Sequence, residues 1–143
     1  MELPEAIHAQ VERLSEEGSQ RFDDGRYAAA IDRWNAALAL LPPPAADWEA
    51  WTWLQTSIGD AYYQLGNFGA ARAALFDALN GPGAADNPFV HYRLGQSSTR
   101  LGRDDEGREH LLKAYMLDGE DIFQAEPDGA RYLDLLRRAG LAG

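Results

Sequence analysis

Residues 59–82 read GDAYYQLGNFGAARAALFDALNGP, from Gly59 to Pro82, and two other stretches fall into register with them. GSQRFDDGRYAAAIDRWNAALALLP runs from Gly18, and GQSSTRLGRDDEGREHLLKAYMLDG from Gly95. With Gly25, Gly66 and Gly102 as anchors, another glycine stands seven residues earlier in each stretch, at Gly18, Gly59 and Gly95. Five residues after the anchor comes Ala30, Ala71 or Gly107, and twelve after it Ala37, Ala78 or Ala114. Nine after it is a large apolar residue: Trp34, Leu75 or Leu111. The anchors lie 41 and 36 residues apart, the period of a repeat array.

Small residues at these offsets have a physical reason. Two antiparallel helices joined by a tight glycine turn approach closely only where one side lacks bulk. The large residue at +9 is expected to fill the space between one helix pair and the next. This pattern resembles the tetratricopeptide repeat, a helix–turn–helix unit, over roughly residues 11–119. The resemblance implies repeats at about 11–44, 52–85 and 88–119, with extra residues between them around Ala45–Trp51 and at Asp86-Asn87. The third repeat departs most: Ser98 and Thr99 stand where the second has Tyr62 and Tyr63, and Asp104 where the others have Tyr27 and Phe68.

Local chemistry agrees with helices throughout. Ile7, Val11, Leu14, Gly18 and Phe22 make a stripe at three- and four-residue steps, as do Trp51, Leu54, Ile58, Tyr62 and Leu65 in a helix starting near Asp47. Pro4 and Pro88 suit first turns, with Asn87 as an N-cap. Pro42-Pro43-Pro44 and Gly81-Pro82-Gly83 end helices. Residues 120–126 are ambiguous, and Pro127–Arg138, with Tyr132, Leu133 and Leu136, predicts a final helix at about 127–139 that stops near Gly140. A repeat array needs such a cap, since its last unit otherwise exposes a stacking face. The expectation is a single all-α domain over residues 1–143, an α-solenoid of three repeats plus a C-terminal capping helix, with seven helices and no strands.

Composition narrows the function classes. Thirteen Lys and Arg stand against 23 Asp and Glu, a net charge of −10. Residues 1–60 carry 11 acids and 4 bases, so the first half is the acidic one. This balance weighs against nucleic acid, whose phosphates need a basic surface, and fits a basic protein partner. Without cysteine there is no disulfide, thiol nucleophile or thiolate metal site. Met1-Glu2 opens no basic, apolar, cleavable segment, and no apolar run reaches membrane length, so a cytoplasmic protein is expected.

No residue set points to catalysis, a cofactor or a metal. His8, His91 and His110 lack metal spacing; His8 and His110 are expected on solvent-facing helix positions, and His91 in a structural role. The acids Asp118, Glu120, Asp121, Glu126 and Asp128 lack the order of a calcium loop and are expected to form a solvated connection. Gly81-Pro82-Gly83 follows a helix and lacks a P-loop lysine, and no serine sits in a nucleophile elbow. Trp34, Trp51 and Tyr62 are expected in the core. Trp48 and Trp51, if not both buried, offer a homodimer patch; the oligomeric state is otherwise open.

The family resemblance implies that the first helix of each pair lines a concave groove where protein partners bind. By register, that groove holds Glu12, Glu16 and Asp23 from the first repeat, and Trp53, Ser57, Asp60 and Tyr63 from the second. The third contributes Phe89, Tyr92, Arg93, Gln96 and Arg100. Trp, Tyr and Arg are the types that dominate interface energies. The alternative is that the terminal helix folds back over part of the groove. Relatives that grip acidic chaperone tails use Lys and Asn where this chain has Ser15, Ser19, Ser57 and Phe89, and only Arg93 matches; Glu12, Glu16, Asp23 and Asp60 would repel such a tail. The stretches DWEAWTWLQTSIGDAYYQLG, NPFVHYRLGQ and AYMLDGEDIF further resemble small bacterial tetratricopeptide immunity proteins encoded beside polymorphic or Rhs-type toxins. That resemblance implies blocking of a toxin domain, such as a nuclease, by a non-enzymatic binder. A secretion or assembly chaperone holding an extended client segment, or a generic adaptor, is the alternative.

Overall fold

The computed structural model describes residues 2–143; of the chain-start reading, Met1 lies outside them. The chain forms two compact units, one running to Ala84 and one from Ala85 to Gly143. Among the described residues there are eight α-helices, two short 3-10 turns and no strand, so the all-α expectation is met.

The first unit holds two antiparallel pairs: α1 (Glu5–Asp23) with α2 (Tyr27–Leu38), and α3 (Glu49–Gln64) with α4 (Phe68–Ala78). Gly25 and Gly66 turn each pair with φ of +76° and +77°, a left-handed geometry that a Cβ disfavours. Asn67 then caps α4, its side chain accepting from the Ala70 amide at 3.1 Å. Ala30, Ala37, Ala71 and Ala78 are fully buried.

The large +9 residues have a seat within their own pair. Each sits on the −7 glycine, and Trp34 also reaches the next pair, its ring 5.7 Å from that of Trp53 on α3. A Cβ on Gly18 would collide with the Trp34 indole, and one on Gly59 would lie 2.6 Å from Leu75 Cγ. The Trp34 indole donates Nε1–H to the Ser15 carbonyl at 3.1 Å, from a position that a side chain at residue 18 would take. Trp48 is buried and donates to the Pro42 carbonyl at 2.8 Å, and half-buried Trp51 donates to the Asp77 carbonyl at 2.8 Å. Both indoles are therefore committed to this unit's own fold.

The second unit pairs α5 (Pro88–Arg100) with α6 (Asp104–Asp118), then adds α7 (Asp121–Gln124) and α8 (Gly129–Arg138). Gly102 makes the turn, at φ +79°, and Asn87 caps α5 by accepting from the Phe89 and Val90 amides. A Cβ on Gly95 would lie 2.7 Å from Leu111 Cγ, so the third repeat keeps the glycine seat. The eighth helix beyond the expected seven is α7, in the stretch whose reading was ambiguous. Its Ile122 and Phe123 enter a core with Tyr92, Leu111, Tyr132 and Leu136.

The third repeat's sequence departures mark where the cap docks. The first two repeats close their turns with edge-on rings, Phe22 on Tyr27 at 5.0 Å and Tyr63 on Phe68 at 5.4 Å. Thr99 and Asp104 replace that ring pair, and Leu135 and Arg138 of α8 line a small hollow beside them.

Candidate functional site

Unit 1 presents a hollow of about 760 Å³ between α1 and α3. Glu12, Ser15, Glu16 and Ser19 line it from α1, and Ala50, Trp53 and Leu54 from α3. Leu54 belongs to the core, whereas Trp53 is 47% exposed. One edge of the Trp53 ring is held by Trp34, at 5.7 Å and 89°. An exposed indole fixed in this way loses little freedom on binding. Glu12 and Glu16 are exposed beside it. Three of the register-assigned residues, Glu12, Glu16 and Trp53, thus share one hollow.

The other four in this unit do not line that hollow. Asp23 ends α1, exposed. Ser57 and Asp60 are half-buried further along α3, with Gln64 Nε2 donating to Asp60 Oδ1 at 3.2 Å. Tyr63 is half-buried against Phe68.

In unit 2 the expected binding positions are occupied from within. Tyr92, Arg93 and Gln96 are buried, not exposed on a groove. All three converge on the carboxylate of Glu126, in the α7–α8 connection. Arg93 Nη1 and Nη2 donate to its two oxygens at 2.8 and 3.2 Å, Gln96 Nε2 at 3.0 Å and Tyr92 OH at 2.9 Å. The fork-on-fork arginine contact is among the stronger hydrogen-bonding geometries proteins use. Burial alone would raise the Glu126 carboxyl, but Arg93, Gln96 and Tyr92 outweigh it and hold the group below the ordinary carboxylate range. Phe89 is half-buried with the Arg93 guanidinium 5.0 Å from its ring centre, and Arg100 is exposed near the end of α5. The C-terminal segment therefore covers this part of the α5 face, through a side chain of the connection that precedes the last helix.

Two sequence expectations fail at this point for the same reason. Glu126 is not part of a solvated acidic connection, because four buried donors on α5 need an acceptor. His110 is buried rather than solvent-facing, stacked on His91 with Nδ1 atoms 3.1 Å apart. His91 Nε2 lies 2.8 Å from the Ala85 carbonyl and must donate to it, so neutral His91 accepts at Nδ1 and His110 donates. Among the described residues no group of three or more His, Asp or Glu is placed to hold a metal.

The histidine pair gives unit 2 an acid sensitivity. Burial, then His91 and Lys113, lower the His110 pKa to about 4, against smaller opposing effects of Glu109 and Glu106. A folded pKa below the unfolded value means that the unfolded chain binds the proton more readily. Stability is thus complete above about pH 6.5 and is lost as pH falls from there toward 4, by roughly 2–4 kcal/mol. Urea midpoints of wild type and His110→Gln across that range should diverge, the variant showing the shallower decline. Equal declines would remove His110 as the cause.

Three antiparallel pairs with glycine seats and glycine turns, ending on a capping helix, define the tetratricopeptide fold. The solved structures agree. The second such domain of human RPAP3, determined in complex with an HSP70 peptide, superimposes with a TM-score of 0.71 at 18% identity, covering 92% of this chain and 98% of that one. The Arabidopsis OM64 tetratricopeptide domain gives 0.71 at 17%, covering 93% and 98%. The C-terminal tetratricopeptide-containing domain of a Plasmodium falciparum FK506-binding protein gives 0.75 at 17%, covering 93% and 89%. No family model matches the chain, and no curated protein does. Among the described residues no helix is long and apolar enough to cross a membrane.

Proposed function

We propose that this chain is a non-enzymatic protein-interaction module, and that the α1/α3 hollow of unit 1 engages a protein partner through a basic part of its surface. The observation that carries this is Trp53, held edge-on by Trp34 and flanked by two exposed carboxylates. An aromatic anchor beside exposed negative charge suits a cationic partner, whose approach the net charge of −10 would steer. Structures of this fold take peptides: a tetratricopeptide domain of Spaghetti (RPAP3) is bound to the HSP90 peptide SRMEEVD. That peptide is acidic, and Glu12 and Glu16 would repel it here.

The finer reading follows the sequence resemblance: an immunity protein that blocks a toxin domain by occupying its basic, substrate-binding surface. Asp23, Ser57, Asp60, Tyr63, Phe89 and Arg100 remain candidate contacts in it, whereas Tyr92, Arg93 and Gln96 serve Glu126. Co-expression with the toxin encoded beside the gene should restore growth. Trp53→Ala combined with Glu12→Arg and Glu16→Arg should weaken the complex by at least about 30-fold, the loss expected when a hot-spot residue worth about 2 kcal/mol is removed. Full protection and unchanged affinity in that variant would rule the hollow out as the binding site.

A further inference from the structure

The α1/α3 hollow does not end at Ala50. A second hollow of about 960 Å³ shares Leu3, His8 and Ala50 with it and continues to Pro82, so unit 1 carries one trough. Its apolar lining includes Leu3, Val11, Ala50, Trp53 and Leu54. Exposed carboxylates rim both sides: Glu5, Glu12 and Glu16 on α1, and Asp47 just before α3 with Glu49 at its start. The basic groups in the lining are few. Arg13 pairs with Glu17 at 3.2 Å, and His8 lies 3.6 Å from Glu12.

We infer that this trough takes a single amphipathic segment of the partner, with large apolar side chains on one face and Lys or Arg flanking them. Three observations select that occupant. The apolar surface carries an indole already immobilised on its other side, which suits an apolar anchor. Carboxylates outnumber bases along both walls, and the lining arginine, Arg13, is paired with Glu17, which suits cations on both margins of the segment. Glu16 lies eleven residues beyond Glu5 on α1, about 16 Å at 1.5 Å per residue, which matches about three turns of a partner helix. An acidic segment and a nucleic-acid backbone are both repelled by the same rim.

This inference rests on the reading that the hollow binds the partner, and it specifies what enters. The probe is a synthetic amphipathic helix with a leucine face and a lysine face, titrated into the full chain. Tryptophan fluorescence serves as readout, because all four tryptophans lie in unit 1. The lysine peptide should bind, and raising salt from about 0.05 to 0.5 M should weaken it at least about tenfold, since screening shortens the reach of the rim charges. Its glutamate counterpart should not bind. Glu12→Arg with Glu16→Arg should weaken the lysine peptide at least about tenfold, and Trp53→Ala likewise. Asp118→Lys with Asp121→Arg, two exposed acids of unit 2, changes the net charge by as much and should leave binding within about twofold. Circular dichroism verifies that each variant is folded.

Equal weakening by both charge-reversal pairs would show that net charge alone attracts the peptide, and would overturn the inference. So would binding of the glutamate peptide. If the lysine peptide fails while the neighbouring toxin is still neutralised, the segment inference falls and the interaction reading stands. If the peptide binds as expected while no toxin is neutralised, the trough stands and the immunity reading falls.

Discussion

Glu126→Ala should lower the stability of the full chain by about 3 kcal/mol, the lower end of the range for breaking a buried ion pair. The Arg93 side chain is only 4% exposed, and the removed carboxylate is the point on which Arg93, Gln96 and Tyr92 converge. Glu126 itself is 28% exposed, which keeps the loss from the upper end. Glu126→Gln retains an acceptor without the charge and should cost about half as much. Adding Arg93→Met to Glu126→Ala should recover much of the loss, because a well-packed apolar side chain carries no desolvated charge. Urea unfolding followed by far-ultraviolet circular dichroism measures all three. A Glu126→Ala midpoint within about 0.5 kcal/mol of wild type would mean that the α7–α8 connection does not depend on this contact. Because the folded state favours the ionised carboxylate, this contribution is present above the unfolded carboxyl pKa and fades as pH falls below it.

A comparable loss is expected from a single methyl group at Gly129. A Cβ there would run into the carbonyl oxygen of Phe123 and lie 2.9 Å from the Tyr92 hydroxyl. The first of these is main chain and cannot rotate aside, so α8 would have to lift from α7. Gly129→Ala should therefore cost about 3 kcal/mol, the high end for overpacking. Gly69→Ala is the matched control. No heavy atom lies within 4 Å of its added methyl, and its φ lies outside the left-handed region. It should be neutral or stabilise α4 by up to about 1 kcal/mol. If both substitutions behave alike in urea, the close approach of α7 and α8 is not tight enough to matter.

The turns were the most legible part of the chain. Gly25, Gly66 and Gly102 adopt positive φ where the register placed the turns, since that demand is met by one residue without help from distant neighbours. Register also assigned Glu12, Glu16 and Trp53 to one face, and all three line the same hollow. Trp34 reaches Trp53 of the next pair as the register expected, whereas the seat of Trp34, Leu75 and Leu111 on the glycine of their own pair was not read from the spacing. Leu3, Asp47 and Glu49 were missed because they lie outside the aligned repeats, before the first or in the insertion between repeats. The only available signal was the density of acids in residues 1–60.

The acceptor for Arg93 lies 33 residues further along, past two breaks in helix periodicity. Nothing in the spacing of Asp118, Glu120, Asp121, Glu126 and Asp128 separates the one acid that turns inward from the four that do not. His110 reads as a surface histidine because Arg108 and Glu109 precede it, and the partner it stacks on inside unit 2, His91, lies nineteen residues earlier. Helix, turn and repeat register follow from interactions a few residues long, so the sequence determined them unaided. Which polar side chains remain for a partner depends on which are consumed inside the molecule, and only the tertiary structure, by bringing Glu126 onto α5 and leaving Trp53 in the open, decided that.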